Sequence, residues 1–544
     1  MIPINTNKKL LEKYSVDASI FKMTPAGVYT PTNAREIEKI VRILQPGQSL
    51  TARAAGTCMS GGPLTEGLVV SFTEHMHGHS ELLKDNLIEV EPGLYHKDLE
   101  KYISKKGLMF ASYPASKDIC AMGGIVNNNS GGEKTLKYGK TEKYVKEISM
   151  VCADGHEYSF YSHSGDDLDV LLNPNNSDYY ARLHREIYRL CKDNTAIIER
   201  NKPRVSKNSA GYYLWDVYDV EKRSLDLSKI IVGAQGTLGI MTKAKIELVP
   251  ISPYSRMITL YLKDIKSIGM LTKELKKYAP ESLELYDDHT FKIAMKYLPS
   301  LLLKMNKGQG GVWSLLKLGF SFWKEMKMLI TGGIPKIILI AEYTSNDKDK
   351  LESDILYIFN NMQNYIGENK IHAAVTLAQS ESEAQKYWTF RRESFNLLRS
   401  KLKSLRTVPF IEDVVVPADS FPDFMPRFEK ILDQHKLLYT IAGHAGDGNL
   451  HVIPLMQLKS TPDTELKSIS DEVYSLVKEY SGSITGEHND GLIHAPFLHY
   501  MYDEEMLALF EKVKTIFDPK NIFNPHKKIG VKWEDVTKYI DRRI

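Results

Sequence analysis

RAAGTCMSGG, residues Arg53 to Gly62, is one of three glycine-rich stretches in the first half of a 544-residue chain; the others are PASKDICAMGGIVNNNSGG, Pro114 to Gly132, and GAQGTLGI, Gly233 to Ile240. None is a G-x-G-x-x-G opening a helix after a strand, and none is a G-x-x-x-x-G-K-[ST]. Neither a Rossmann dinucleotide site nor a P-loop is therefore supported. Glycine turns can still line successive main-chain amides into anion-binding concavities, because glycine takes positive φ with no side chain in the way. Two such turns can grip one diphosphate. A single glycine cluster is more often an ordinary turn, whereas three in this order form a signature.

Around these loops, from Ile37 to about Pro250, short β-branched stretches such as Leu68 to Phe72, Leu87 to Val90 and Ile148 to Ala153 read as strands broken by turns and a few helices. Beyond Pro250 come a strand at Met257 to Leu262, a helix at Ile265 to Lys277, the strand-like SLELYDD and KIILIAEYT, and a helix from Asp347 to Ile366. The alternation predicts an α+β chain whose second part carries an antiparallel sheet covered by helices. Two last helices, Asp503 to Phe517 and Trp533 to Ile540, flank the Asp518-Pro519 and Asn524-Pro525 breaks. The expected divisions are 1–250, 251–480 and a terminal segment 481–544.

The order and wording of the three loops resemble the PCMH-type FAD-binding domain of the vanillyl-alcohol oxidase and p-cresol methylhydroxylase superfamily. The resemblance is to the branch containing D-lactate dehydrogenases, glycolate oxidase subunits and D-2-hydroxyglutarate dehydrogenases, and it covers nearly the whole chain. It implies FAD, with Ala54, Ala55, Gly56, Thr57, Cys58, Met59, Ser60 and Gly61 around the diphosphate. Pro114, Ser116, Met122, Gly123, Gly124, Asn127 and Asn129 would line the flavin, Gly236 and Thr237 would complete the site, and Asn524 would approach the flavin from the terminal segment. A plain loop is the alternative for Asn524. Members that bond FAD covalently through the first loop use a histidine, and Thr57 stands there in this chain, so dissociable FAD is expected, with Cys58 the one residue to check for attachment.

The second half holds GHAGDGNLH, Gly443 to His451, and GEHNDG, Gly486 to Gly491. Two histidines seven residues apart across a glycine-bearing loop, with Glu487, make a His2Glu set that leaves a coordination position open. The resemblance implies His444, His451 and Glu487 as ligands of a divalent metal, zinc or manganese, which imidazole and carboxylate together suit. His488 beside the carboxylate is the natural general base. Arg392, with Arg391 its rival, would clamp the substrate carboxylate. The implied reaction is oxidation of a D-2-hydroxy acid, with proton loss to His488 and hydride departure to flavin N5. Where hydroxyglutarate-oxidising members carry a lysine and an asparagine, this chain has Ile411 and Ile453, which favours a D-lactate-like monocarboxylate. The family's glycine after Glu-His is replaced by Asn489-Asp490. The competing readings are an alkyl-dihydroxyacetone-phosphate synthase-like flavoenzyme, against which Glu487 speaks, and a non-catalytic electron-transfer subunit, which needs no His444, His451, Glu487 and His488.

Composition narrows the partners. A formal charge of +3 from 71 basic and 68 acidic residues advertises no nucleic acid. Four scattered cysteines without a C-x-x-C pair build no iron-sulfur cluster, so the electron acceptor is a quinone, a cytochrome or a separate iron-sulfur protein. The start, MIPINTNKKLLEKY, has no apolar h-region, and no run approaches the roughly 18 apolar residues of a spanning helix. A cytoplasmic enzyme, alone or as a homodimer, is expected. Leu301 to Ile334 interleaves aromatics and leucines with lysines; a helical pair packed on its own domain is the first reading, and docking on the inner face of a membrane the second.

Overall fold

A computed structural model describes residues 3–288, 290, 334–380, 383–385, 387–388 and 405–543. Arg391, Arg392 and the stretch 301–333 lie outside the described residues. The chain divides into two compact units: Met1–Gly132, Gly139–Ile251 and Val477–Arg542 form the first, and Glu133–Tyr138, Ser252–Leu476 and Arg543–Ile544 the second.

In the first unit, β1 (Gly27–Tyr29), β2 (Leu50–Arg53) and β3 (Leu68–Ser71) form a small parallel sheet in the order β1-β3-β2. The crossover from β1 to β2 is the helix Ala34–Ile43. Its Asn33 cap accepts from Glu36 N, and Ile37, Ile40 and Val41, one face at helical spacing, are buried. These three pack with Leu50, Val70, Phe72, Ile240 and Phe523 into one core. Phe523 comes from the terminal segment, which runs parallel beside β2: Leu50 N donates to Ile522 O and Asn524 N to Leu50 O, each at 2.8 Å.

A six-stranded sheet follows, built from β4 (Leu87–Val90), β6 (Val145–Val151), β7 (Glu157–Ser164), β8 (Tyr218–Asp219), β9 (Ser224–Asp226) and β10 (Ile240–Glu247), with β10 between β4 and β6. Strand β10 reads at period two: Thr242, Ala244 and Ile246 are buried while Lys243, Lys245 and Glu247 are half-exposed. A two-stranded ribbon of β5 (Leu108–Met109) and β11 (Val249–Pro250) stands apart.

The second unit is built on an antiparallel sheet of eight strands among the described residues. These are β12 (Tyr254–Leu262), β13 (Ser282–Asp287), β14 (Ile337–Ser345), β15 (Ala373–Leu377), β16 (Arg406–Thr407), β17 (Val414–Val415), β18 (Leu438–His444) and β19 (Asn449–Met456). The order is β15-β12-β14-β13-β18-β19-β16, with β17 also on β19. Helices Ile268–Lys276, Lys348–Glu368, Phe421–Gln434 and Asp463–Glu479 accompany it. The first of these begins three residues later than its periodicity predicts, because the Asp264 side chain accepts from Ser267 N at 3.2 Å and holds Ile265 and Lys266 in a turn. Glu133–Tyr138 groups with this unit, where Lys134 Nζ and Tyr138 Oη donate to the buried Glu281 carboxylate at 2.9 and 2.8 Å.

Burial pushes the Glu342 carboxyl of β14 up to about 7, against the lowering pull of Lys134. A carboxyl raised in the folded state adds stability below its ordinary range that is lost as pH climbs through its folded value. Glu342→Gln is therefore expected to gain on the parent between pH 5 and pH 8, by at most about 3 kcal/mol. Thermal midpoints of the two proteins across that range are the check; a constant difference would contradict the expectation.

Candidate active site

The first glycine loop leaves β2 at Arg53, whose guanidinium donates to Tyr14 O at 2.8 Å and Val16 O at 2.7 Å, so this arginine anchors the loop from behind. Gly56 and Gly61 take φ of +71° and +78°. No hydrogen bond among the described residues engages the main-chain amides of Ala54, Ala55, Gly56 or Thr57. Four unengaged amides in succession are the donor set an anionic diphosphate needs. Across from them Gly124 is exposed, and a Cβ built there would meet only Ala54 Cβ, at 3.9 Å, so this face is open to a ligand. The residues present fit FAD. Cys58 Sγ lies 3.3 Å from Ser60 Oγ, and burial pushes the thiol up to about 11, which keeps it protonated and a poor nucleophile.

Not every expected flavin neighbour offers its side chain. Met122 and Gly123 are buried at the start of the helix Met122–Asn128, their amides donating to Leu94 O and Pro92 O. Pro114 O accepts from Lys117 N, while Ser116 O accepts from Ile119 N and Cys120 N. Asn127 Oδ1 accepts from Gly236 N at 3.2 Å, and Asn129, at φ +50°, accepts from Glu142 N at 3.0 Å. Thr237 Oγ1 donates to Ala234 O and lies 2.7 Å from Tyr212 Oη. Asn524 is a strut: its Nδ2 donates to Gly62 O at 3.0 Å and to Gln235 O at 2.8 Å, joining the first and third loops, while its Oδ1 accepts from Thr51.

GEHNDG is clamped onto these loops. The His488 carbonyl accepts from Ser60 Oγ at 3.0 Å and Asn128 Nδ2 at 3.3 Å, and Gly491 N donates to Gln235 Oε1 at 2.8 Å. Gly491 has φ +50°, and any Cβ there would sit 2.2 Å from the Ser60 carbonyl oxygen, so only glycine permits this approach. Three buried lysines hold the same six residues. Lys140 Nζ donates to Gly486 O at 2.6 Å, Lys207 Nζ to the Glu487 carboxylate, and Lys528 Nζ to Asn489 Oδ1 and Asp490 Oδ2, both at 2.7 Å. His488 itself is half-buried.

In the second unit, His444 ends β18 and His451 lies in β19 of the same hairpin. The turn requires Gly448: at φ +71°, a Cβ would stand 1.8 Å from Val416 O. The two imidazoles are 5.1 Å apart and perpendicular. His444 Nδ1 meets Glu284 Oε1 of β13 at 2.6 Å, and His451 Nδ1 lies 3.4 Å from Glu412 O and 3.8 Å from Asp413 Oδ1. A carboxylate on Nδ1 fixes the tautomer that presents the Nε2 lone pair, the arrangement of a metal-ligating histidine. Ile411 and Ile453 are both buried.

Sequence reasoning missed Glu284, Asn128, Gln235 and the three lysines. Glu284 had a signal, a carboxylate between Leu283 and Leu285 of a strand-like run; the lysines had none.

Residues 252–528 match the C-terminal domain of FAD linked oxidases, and residues 25–160 match the FAD binding domain. The chain belongs to the FAD linked oxidases. It is 25% identical over 94% of its length to D-2-hydroxyglutarate dehydrogenase of Haemophilus influenzae and 24% identical over 94% to that of Escherichia coli, spanning about half (49%) of each of those proteins. To the glycolate oxidase subunit GlcD of Bacillus subtilis it is 27% identical, over 94% of this chain and 91% of GlcD. Among solved structures, p-cresol methylhydroxylase with substrate bound superposes with a TM-score of 0.66 at 14% identity, covering 98% of this chain and 94% of that one. Alkyldihydroxyacetonephosphate synthase gives 0.64 at 14%, covering 96% and 82%. These last two likenesses establish the PCMH-type fold of this FAD linked oxidase. No helix among its described residues is long and apolar enough to cross a membrane.

Proposed function

We propose that the protein oxidises a D-2-hydroxy acid to the 2-oxo acid, with a D-lactate-like monocarboxylate as the favoured substrate. The observation that carries this reading is the clamping of GEHNDG onto Ser60, Asn128 and Gln235, which holds the imidazole-bearing His488 against the flavin loops through its main chain. A subunit that only stores electrons needs no such histidine. Bound FAD supplies the two-electron acceptor for the C2 hydrogen of the acid. His488 takes the hydroxyl proton, Arg392 holds the substrate carboxylate, and the first-loop amides grip the FAD diphosphate. His444 and His451, with Glu487 as the carboxylate implied by the GEHNDG wording, take zinc or manganese, which lowers the pKa of the substrate hydroxyl. The substrate preference rests on the resemblance, in which Ile411 and Ile453 stand where hydroxyglutarate-oxidising members carry a lysine and an asparagine, and both side chains are buried.

The electrons then pass to a quinone, cytochrome or iron-sulfur protein. The protonated Cys58 thiol supports dissociable FAD.

The test is anaerobic mixing of the purified yellow protein with D-lactate, glycolate, D-2-hydroxyglutarate and their L or longer-chain counterparts, following flavin absorbance. D-lactate or another D-monocarboxylate is expected to bleach the flavin fastest; absence of bleaching by every acid would remove the reading, and D-2-hydroxyglutarate leading the series would overturn the monocarboxylate preference. The Glu284–His444 contact gives a separate expectation. Glu284→Gln is expected to weaken zinc or manganese binding by about 10- to 100-fold, the usual effect of removing a carboxylate behind a ligating histidine. Titration of the chelated protein with either ion measures it, and parental affinity would count against His444 as a ligand.

A further inference from the structure

Asn489 and Asp490 follow His488 directly, and the structure shows what they do. Asn489 keeps a glycine-like φ of +68°, a conformation asparagine tolerates better than most residues. Its side chain is engaged at both ends: Nδ2 donates to Gly233 O at 2.9 Å and Asn128 O at 3.1 Å, and Oδ1 accepts from Lys528 Nζ. Asp490 Oδ2 accepts from Lys528 Nζ at 2.7 Å and from Gly211 N at 2.9 Å. Both members of the Lys528–Asp490 pair have no exposed side-chain surface. Lys528 lies 5.6 Å above the Tyr212 ring, itself has φ +72°, and its amide donates to Gly491 O.

A buried ion pair seldom stabilises a fold more than apolar residues of the same volume would, because both charges lose their hydration; what such a pair secures best is one register among several. Here a single ammonium bonds two consecutive side chains immediately after His488. A slip of the segment by one residue would break both bonds and strand a buried charge.

We propose that Lys528 is a positioning residue for His488: through Asn489 and Asp490 it locks the turn that carries the imidazole onto the flavin loops. This rests on the reading of His488 as the base, and the test separates the two. Lys528→Met is compared with the parent and with Asp490→Asn/Lys528→Met, in which neither charge remains and an amide oxygen is kept to accept from Gly211 N; should the single variant not fold, the double variant carries the comparison. Two readouts are taken on FAD-loaded protein. Amide hydrogen exchange of the peptide spanning 485–492 is expected to quicken by at least about ten-fold in both variants, since local opening sets protection. Flavin reduction at saturating D-lactate, or whichever acid of the panel bleaches the parent fastest, is expected to slow by at least about ten-fold with little change in half-saturating concentration, because small misplacement of a reacting group acts on the rate.

The double variant is expected to regain the parental thermal midpoint but neither the protection nor the rate. Parental exchange in the variants, or a double variant that recovers rate along with thermal midpoint, would overturn the proposal and leave the pair a purely structural one. If no acid of the panel bleaches the parent, the proposed oxidation falls, and the exchange readout alone decides whether Lys528 locks the segment.

Discussion

His488→Asn is expected to retain FAD and to lower the rate of flavin reduction by about 100-fold or more, the usual scale for removing a positioned base. The substitution is clean for a structural reason. His488 is held by its main-chain carbonyl, which accepts from Ser60 Oγ and Asn128 Nδ2, so a new side chain leaves the clamp intact. Asparagine is close in size and cannot take a proton near neutrality. Anaerobic bleaching by the best D-2-hydroxy acid, compared between parent and variant, measures the effect. The half-saturating concentration is expected to move much less than the rate. An unchanged rate would place the base elsewhere and weaken the assignment of Glu487 with it, since both rest on the same six residues.

Lys207→Met is expected to destabilise the protein by about 3–5 kcal/mol, the range for removing one partner of a buried ion pair. Lys207 has no exposed side-chain surface and Glu487 only 6%, and the ammonium donates directly to the carboxylate. Without the lysine, the buried Glu487 carboxylate loses a cation that donates to it directly. Denaturant unfolding of chelator-treated protein is the measurement. Pairing the change with Glu487→Gln should return most of the loss, because the carboxylate that lost its cation is then absent. A loss below about 1 kcal/mol in the single variant, the scale of an exposed pair, would contradict the expectation.

Much of the architecture was legible in one dimension. The strands read at Leu68 to Phe72 and Leu87 to Val90 are β3 and β4, and the antiparallel sheet of the second unit was read from apolar runs such as KIILIAEYT, which forms β14. These features are local: backbone preference and burial periodicity are written in neighbouring residues. The glycine loops were legible for the same reason, and Gly56, Gly61 and Gly236 all take the positive φ that their turns demand.

The roles of single side chains within the loops were less legible. Asn524 read as a residue near the flavin or a plain loop, and the structure shows a strut between Gly62 and Gln235. Its side-chain partners lie 462 and 289 residues away, and nothing near Asn524 in the chain names them.

By itself the sequence determined which residue types could do chemistry here: amide-rich glycine turns, a histidine pair across a glycine hairpin, and a glutamate beside a histidine. Only the tertiary structure decided what holds them in working form. Glu284 reaches His444 across 160 residues and Lys207 reaches Glu487 across 280, while Lys528 takes Asn489 and Asp490 from a segment that threads back beside β2. A buried charge must find its counter-charge wherever the fold brings one. That pairing is a property of which elements pack together, and no local pattern of the chain encodes it.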